Sequence, residues 1–377
     1  MTRQVICLTM IVKDKAAVIC RCLDSVRPLI GYWIIVETGS TDGTKDIVRA
    51  HLKDLPGELH ERPWRDFGHN RSEALALARR HGDYSLILDA DDALDLDKGF
   101  QLPELRADSY TLDICDTAIR YQRIQLVRNA LPWRYRGVLH EFLAFEGASA
   151  SGHLPIAMRR NHDGARRRDP ETYRKDATIL AEALMTETDP FLIARYTFCL
   201  AQSYRDCGEK ERAIAAYLRR AELGHWVEKV FCSLLTAARL KEELGHNRDD
   251  ILTLYMRATG VVSGRAEALH DASRLCRYAG RYQEGYAFAK RGLALSAPRD
   301  GLFVEPWIYD YGLLDEFAVN AYWAGNYDES HQACRRLLGE GKLSPERASR
   351  IAANAHFAAR KLPPYHAWHA AVSTDKS

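Results

Sequence analysis

Apolar residues recur in this chain with two different rhythms, and the change near residue 165 constrains the fold more than any other feature. Before it, the short apolar runs "VICLTMIV" (5–12), "WIIVET" (33–38) and "YSLILDA" (84–90) alternate with amphipathic segments at 16–26, 45–52 and 72–80. That alternation predicts βαβ units and a mainly parallel sheet in an α/β domain over 1–165. In such sheets ligands gather at the carboxyl edge, where Glu37, Asp89 and Asp91 fall. After "RRNHDGARRRDPETYRK" strand patterns vanish and long helical patterns follow, which predicts an all-α domain over 166–377.

The helical half repeats itself. In "FCLAQSYRDCGEKERAIAAYLRRAELG", Ala201, Tyr204, Gly208, Ala213 and Tyr217 occupy small, aromatic, turn-glycine, small and aromatic positions of a helix-turn-helix unit. Weaker echoes centre on Gly245, Gly280 and Gly325. This pattern resembles the tetratricopeptide repeat, whose period is roughly 34 residues. A two-helix hairpin cannot bury its apolar face alone, so small residues admit a neighbouring helix and aromatics fill the groove between them. The aromatic stripe of Tyr196, Tyr204, Tyr217, Trp226, Tyr282, Tyr286, Tyr322, Trp323 and Tyr327 is therefore expected to be repeat core. Trp226 and Trp307 follow turn signals and are the expected ligand-facing exceptions.

With 377 residues, 46% of them hydrophobic, the chain can bury a core in each half. A formal net charge of +2 selects no polyanionic partner. Lys13 and Asp14 interrupt the first apolar run, so it reads as a strand and not a secretory signal, and no window approaches a membrane span. Nine scattered cysteines without paired zinc spacing suit reduced thiols in a cytoplasmic protein.

The densest chemistry lies in "LILDADDALDL" (86–96), where an apolar run ends in Asp89, Asp91 and Asp92. A calcium loop of the EF-hand kind would need an oxygen ligand at 93 and glycine at 94, and Ala93 and Leu94 stand there. A glycosidase pair needs two carboxyls facing each other across a sugar. In an extended chain, residues i and i+2 project to one side, so Asp89 and Asp91 suit a divalent metal on a diphosphate. The plain alternative is a solvated acidic turn. Nearby, "VETGSTDGTKDIV" sets Glu37 at a strand end, followed by a polar turn able to cap a helix near Thr44.

These segments resemble the inverting family 2 glycosyltransferases of the GT-A fold, a Rossmann-like nucleotide-sugar domain. The likeness runs through "LTMIVKD", "IIVETGSTDGT" with Glu37 where aspartate is usual, and "DFGHNRSEALALARRHGDYSLILDADDALDL", and on to "WRYRGVLHEFL" and "NHDGARRRDPETYRKDATIL". With the repeats, it is similar to a subgroup of peptide S-glycosyltransferases and lipopolysaccharide-core glycosyltransferases. The resemblance implies a nucleoside diphosphate sugar as donor, a UDP-sugar by family habit, with Mn²⁺ or Mg²⁺. It implies Glu37, Arg71, Asp89 and Asp92 at the nucleotide and sugar, and Asp91 on the metal, with Asp89 contributing. His162 or His140 would be a further metal ligand, and Arg166, Arg167 and Arg168 a pyrophosphate clamp. Glu141 would be the base, with His140 as the other candidate.

The acceptor implied is a peptide, protein, lipid-linked glycan or other group, and the repeats offer faces for it or for a second copy of the chain. Two other functions remain open on sequence alone. One is a catalytically inactive repeat scaffold that binds peptides. The other is a different Mg²⁺-dependent nucleotide-diphosphate enzyme, although "LTMIVKDKAAV" has no glycine-rich phosphate loop.

Overall fold

Strand β1 (Ile6–Val12) is buried along nearly its whole length because both of its faces are covered. Ile6, Leu8, Met10 and Val12 join the cluster holding Ile19, Cys22, Leu23 and Val26 of α1 (Ile19–Val26). Cys7, between them, packs with Ala78 of α3 (Phe67–Ala78) on the opposite side. The layers are thus helix, sheet, helix, as the alternation of runs predicts. The computed structural model describes residues 4–363, apart from 98, 117, 118, 148, 162 and 164–168.

The chain divides into two compact units, Met1–Glu187 and Thr188–Ser377. The first contains an eight-stranded sheet in the order β3-β2-β1-β4-β7-β6-β10-β5. Its first four members, β3 (Gly57–Glu61), β2 (Tyr32–Glu37), β1 and β4 (Tyr84–Ile87), run parallel. Beyond β4 the sheet takes in antiparallel members, but it stays mainly parallel, as the alternation of runs predicts. Strand β7 (Ile119–Arg128) is antiparallel to both β4 and β6 (Ser109–Asp116), and β5 (Ala93–Asp95) is antiparallel to β10 (Ser151–Arg159). Strands β6 and β7 are adjacent in sequence, and an antiparallel pair needs no crossover helix. A separate hairpin pairs β8 (Arg134–Arg136) with β9 (Phe142–Ala144).

Helix α2 (Thr44–His51) begins where the polar turn placed it. Helix α3 begins five residues before the apolar pattern suggested, because the Asp66 side chain accepts the His69 N–H at 2.7 Å and caps the first turn.

Among the described residues, the second unit forms four helical hairpins: Pro190–Asp206 with Lys210–Glu222, Val227–Glu243 with Arg248–Val261, Glu267–Tyr278 with Tyr282–Leu293, and Leu313–Trp323 with Tyr327–Gly339. A further helix, Pro345–Ala359, follows. The hairpins turn at Gly208, Gly245, Gly280 and Gly325, all with φ between 72° and 86°. A Cβ there would meet nothing within 4 Å, so the left-handed backbone, not space, calls for glycine.

Ala201, Tyr204, Ala213 and Tyr217 are buried, as the repeat pattern requires. Trp323 departs from the expected core: it is 60% exposed and stacks on Tyr282 at 5.5 Å. Trp226 is 51% exposed.

Candidate functional site

The acidic run leaves β4 at the carboxyl edge of the parallel strands. It does not continue extended: the Asp92 N–H donates to the Asp89 carbonyl at 3.0 Å and closes a turn over Ala90 and Asp91. The three carboxylates consequently find three different surroundings, and their mutual repulsion is answered one residue at a time.

Asp89 pairs with the Arg71 guanidinium on α3. Burial alone would raise its pKa, but the Arg71 charge outweighs burial and holds the carboxyl at about 2. Asp91 pairs with Lys15, Nζ to Oδ2 at 3.2 Å. Its backbone carbonyl accepts from Arg21 Nη2 at 3.0 Å and from Asn161 Nδ2 at 2.9 Å. Asp92 is only 2% exposed, and its Oδ2 has no hydrogen-bond partner. Burial, then the charge on Asp89, push its pKa up to about 7 against the pull of Arg160 and Arg123.

Arg71 also reaches Glu141, with Nε 2.8 Å from Oε1. This is a charge contact rather than an aligned hydrogen bond, since Nε–H has no acceptor in line. The guanidinium lies 5.6 Å from the centre of the Tyr135 ring. One cation thus faces two carboxylates from distant parts of the chain, leaving the group with a negative charge. Burial opposes the cationic form of Arg71, yet Asp89, Tyr135 and Glu141 together raise its pKa.

Helix α3 sets this geometry by docking on the β8–β9 hairpin. Ser72 Oγ donates to the Tyr135 carbonyl at 3.2 Å and accepts the Tyr135 N–H at 2.8 Å, while Arg79 Nη2 donates to the Trp133 carbonyl at 3.0 Å. The Phe67 N–H donates to the Val138 carbonyl at 3.3 Å. A Cβ on Gly68 would lie 2.3 Å from the Gly137 carbonyl oxygen, so the helix start and the 137–141 loop meet backbone to backbone. That loop carries His140, exposed and at φ 52°, beside the half-buried Glu141. A non-glycine residue held at positive φ stores strain of the kind that gathers at functional sites.

Glu37 closes β2 and is buried, with Oε1 accepting the Ser40 N–H. The loops after β1 and β2 are cross-braced. Asp14, at φ 49°, donates its N–H to Ser40 Oγ at 3.0 Å and accepts the Thr41 N–H at 2.9 Å. The Lys15 N–H donates to Thr44 Oγ1 at 2.8 Å, and the Ala16 N–H to Asp42 Oδ2 at 2.9 Å. Asp42 also takes the Thr44 N–H at 3.1 Å, so the polar turn braces two loops besides starting α2.

The structure gathers Arg71, Asp89, Asp91, Asp92 and Glu141 around the end of β4, with Glu37 ending β2 at the same edge. His162, Arg166, Arg167 and Arg168 lie outside the described residues. Among the described residues, no three His, Cys, Asp or Glu side chains come together in a group that could hold a metal. Sequence reasoning missed Lys15, Arg21, Asn161 and Tyr135. Lys15 was within reach, since it follows a strand at the same carboxyl edge that singled out the acids.

Residues 7–145 match a family model described as glycosyl transferase family 2. A TPR repeat-containing protein of Synechococcus elongatus is 34% identical over 144 residues, 36% of this chain and 34% of that protein. The chain therefore spans about a third of the length of that curated relative. Among solved structures, S. aureus TarS in complex with UDP-GlcNAc gives a TM-score of 0.35 at 14% identity, covering 70% of this chain and 90% of that one. A tetratricopeptide repeat protein from Parabacteroides merdae gives 0.38 at 18% identity, covering 50% and 68%. Neither structural likeness is close enough to carry an argument. Among the described residues, no helix is long and apolar enough to cross a membrane. Residues 7–145 of this chain are thus similar to glycosyl transferase family 2, and a run of helical hairpins follows them.

Proposed function

We propose that this chain is an inverting glycosyltransferase that moves a sugar from a nucleoside diphosphate, UDP first among candidates, to a peptide or glycan acceptor. The observation that carries the reading is Arg71 clasped between Asp89 and Glu141, next to Asp91, inside the family-matched segment. On this reading Glu37 and Asp89 face the nucleoside, and Asp92 lies behind the turn as a buried acid.

Glu141 takes the acceptor proton as the acceptor attacks the anomeric carbon and the nucleoside diphosphate departs. Arg71 divides its charge between Asp89 and Glu141, so it does not claim the Glu141 carboxylate alone. His140, strained beside it, orients the acceptor side of the loop. Mg²⁺ and Mn²⁺ sites at diphosphates need only one or two carboxylates, the phosphates and waters completing the shell. Asp91 meets that requirement, and His162, next in sequence to the Asn161 that holds the Asp91 carbonyl, would be a second donor. A metal bound there supplies charge neutralisation at the diphosphate.

The helical unit would recognise the acceptor through exposed aromatics such as Trp226, Tyr278 and Trp323, or a second copy of the chain. Nine cysteines present as thiols fit a cytoplasmic setting.

Melting curves with UDP-sugars and Mn²⁺ test the reading, since a ligand bound by the native state alone must raise the transition temperature. Asp91→Asn should lose the Mn²⁺-dependent part of the rise. Glu141→Gln should keep donor binding while turnover falls about 10²- to 10⁴-fold, the usual share of a general base. No shift with any nucleotide sugar at millimolar concentration would sink the proposal.

A further inference from the structure

We propose that Lys15 is a stand-in cation: it holds Asp91 in the unliganded site and passes to the donor's diphosphate, so that a divalent metal reaches Asp91 readily only together with nucleotide. The inference rests on the nucleotide-sugar reading above and assigns it an order of loading.

Both ends of the Lys15–Asp91 pair are anchored. Lys15 sits in the loop braced by Ser40, Thr41, Asp42 and Thr44, next to Asp14 at positive φ. Asp91 sits in a turn whose carbonyl is held by Arg21 and Asn161. The side chains are 19% and 22% exposed, and Nζ lies 3.2 Å from Oδ2. With both backbones braced, the freedom lost on pairing is that of the side chains, chiefly the Lys15 stem. Asp89 has Arg71 as its own partner, and the side-chain ion pair of Asp91 is made by Lys15 while Arg21 holds the Asp91 carbonyl.

A metal arriving alone would have to expel the ammonium from Asp91 and leave two cations facing each other across a partly buried site. A diphosphate removes that obstacle, because its oxygens give the displaced ammonium a charge-assisted partner. Nucleotide and metal should therefore each strengthen the other's binding by one shared factor, as linkage requires.

Mn²⁺ binding followed by electron paramagnetic resonance, with and without UDP, tests this on the full chain. In the wild type, UDP should tighten Mn²⁺ binding by about tenfold or more, a typical size for such coupling. Lys15→Met should bind Mn²⁺ alone about fivefold more tightly or better, the equivalent of one modest ion pair. It should also bind UDP more weakly in EDTA and show a smaller coupling factor. Lys15→Arg should keep UDP binding in EDTA, and Lys15→Gln repeats the neutral case with a polar side chain. Asp91→Asn should abolish the signal, identifying the counted metal as the one at Asp91.

Equal Mn²⁺ affinity and equal coupling in the wild type and both neutral variants would overturn the role of Lys15 while leaving a donor site that still binds UDP. A wild type that binds UDP neither with nor without Mn²⁺ would overturn the donor-site reading, and the Lys15 proposal with it.

Discussion

Asp92 is the member of the acidic run most shaped by burial. Its carboxyl rises from 3.8 to about 7, with one oxygen unpartnered. The sign of the pH effect follows. Below about pH 4 both folded and unfolded chains keep this proton; between about 4 and 7 the unfolded chain releases it first, so stability falls as pH rises; above about 7 the full penalty remains. Asn is nearly isosteric and does not ionise. In EDTA, Asp92→Asn should therefore exceed the wild type in stability by about 1–3 kcal/mol at pH 8, with the gap closing toward pH 4, as read from urea unfolding curves. An identical pH dependence in the two proteins would mean that Asp92 is not the buried acid. Asp89, three residues earlier at the other end of the turn, behaves oppositely because Arg71 lies against it. Identical side chains in one short stretch are thus differentiated by neighbours far away in sequence.

At the scale of elements, α3 does the most for the site. It carries Arg71, is capped by Asp66, and presses Gly68 against the Gly137 carbonyl. A methyl group at 68 has nowhere to go against backbone, so Gly68→Ala should separate the helix start from the 137–141 loop. Overpacking of this kind typically costs about 1–3 kcal/mol. Because the displacement falls between Arg71 and Glu141, nucleotide-sugar turnover should drop by a larger factor than the melting temperature alone would suggest. Parallel measurements of kcat and Tm check this, and a variant with lower Tm but unchanged kcat would detach the helix start from the site. The start of α3 illustrates what periodicity misses: "FGHN" carries no apolar stripe, and the helix forms there because Asp66 satisfies its first turn. Strands β6 and β7 were likewise hidden, since their polar and apolar residues alternate without the continuous runs that mark β1 and β2.

At the scale of the whole molecule, the two units differ in how they are stabilised. The sheet unit depends on strand pairs far apart in sequence, such as β10 beside β5, whereas each helical hairpin packs mainly against its sequence neighbours. Residues 188–377 expressed alone should therefore give a helical circular dichroism spectrum and a cooperative melt; a fragment with coil-like ellipticity would show that the repeats need the first unit. The sequence by itself determined the local features. The buried strands came from their apolar runs, the hairpin turns from four glycines that tolerate positive φ, and the carboxyl-edge position of Glu37, Asp89 and Asp91 from the strands preceding them. These depend on backbone propensity and periodicity over a few residues. Only the tertiary structure decided that Arg71 lies between Asp89 and Glu141, that Lys15 meets Asp91, that Asp92 is buried without a partner, and that the sheet turns mixed beyond β4. Lys15 and Asp91, 76 residues apart in sequence, meet through the packing of entire layers, and residue spacing carries no record of which cation each carboxylate will find.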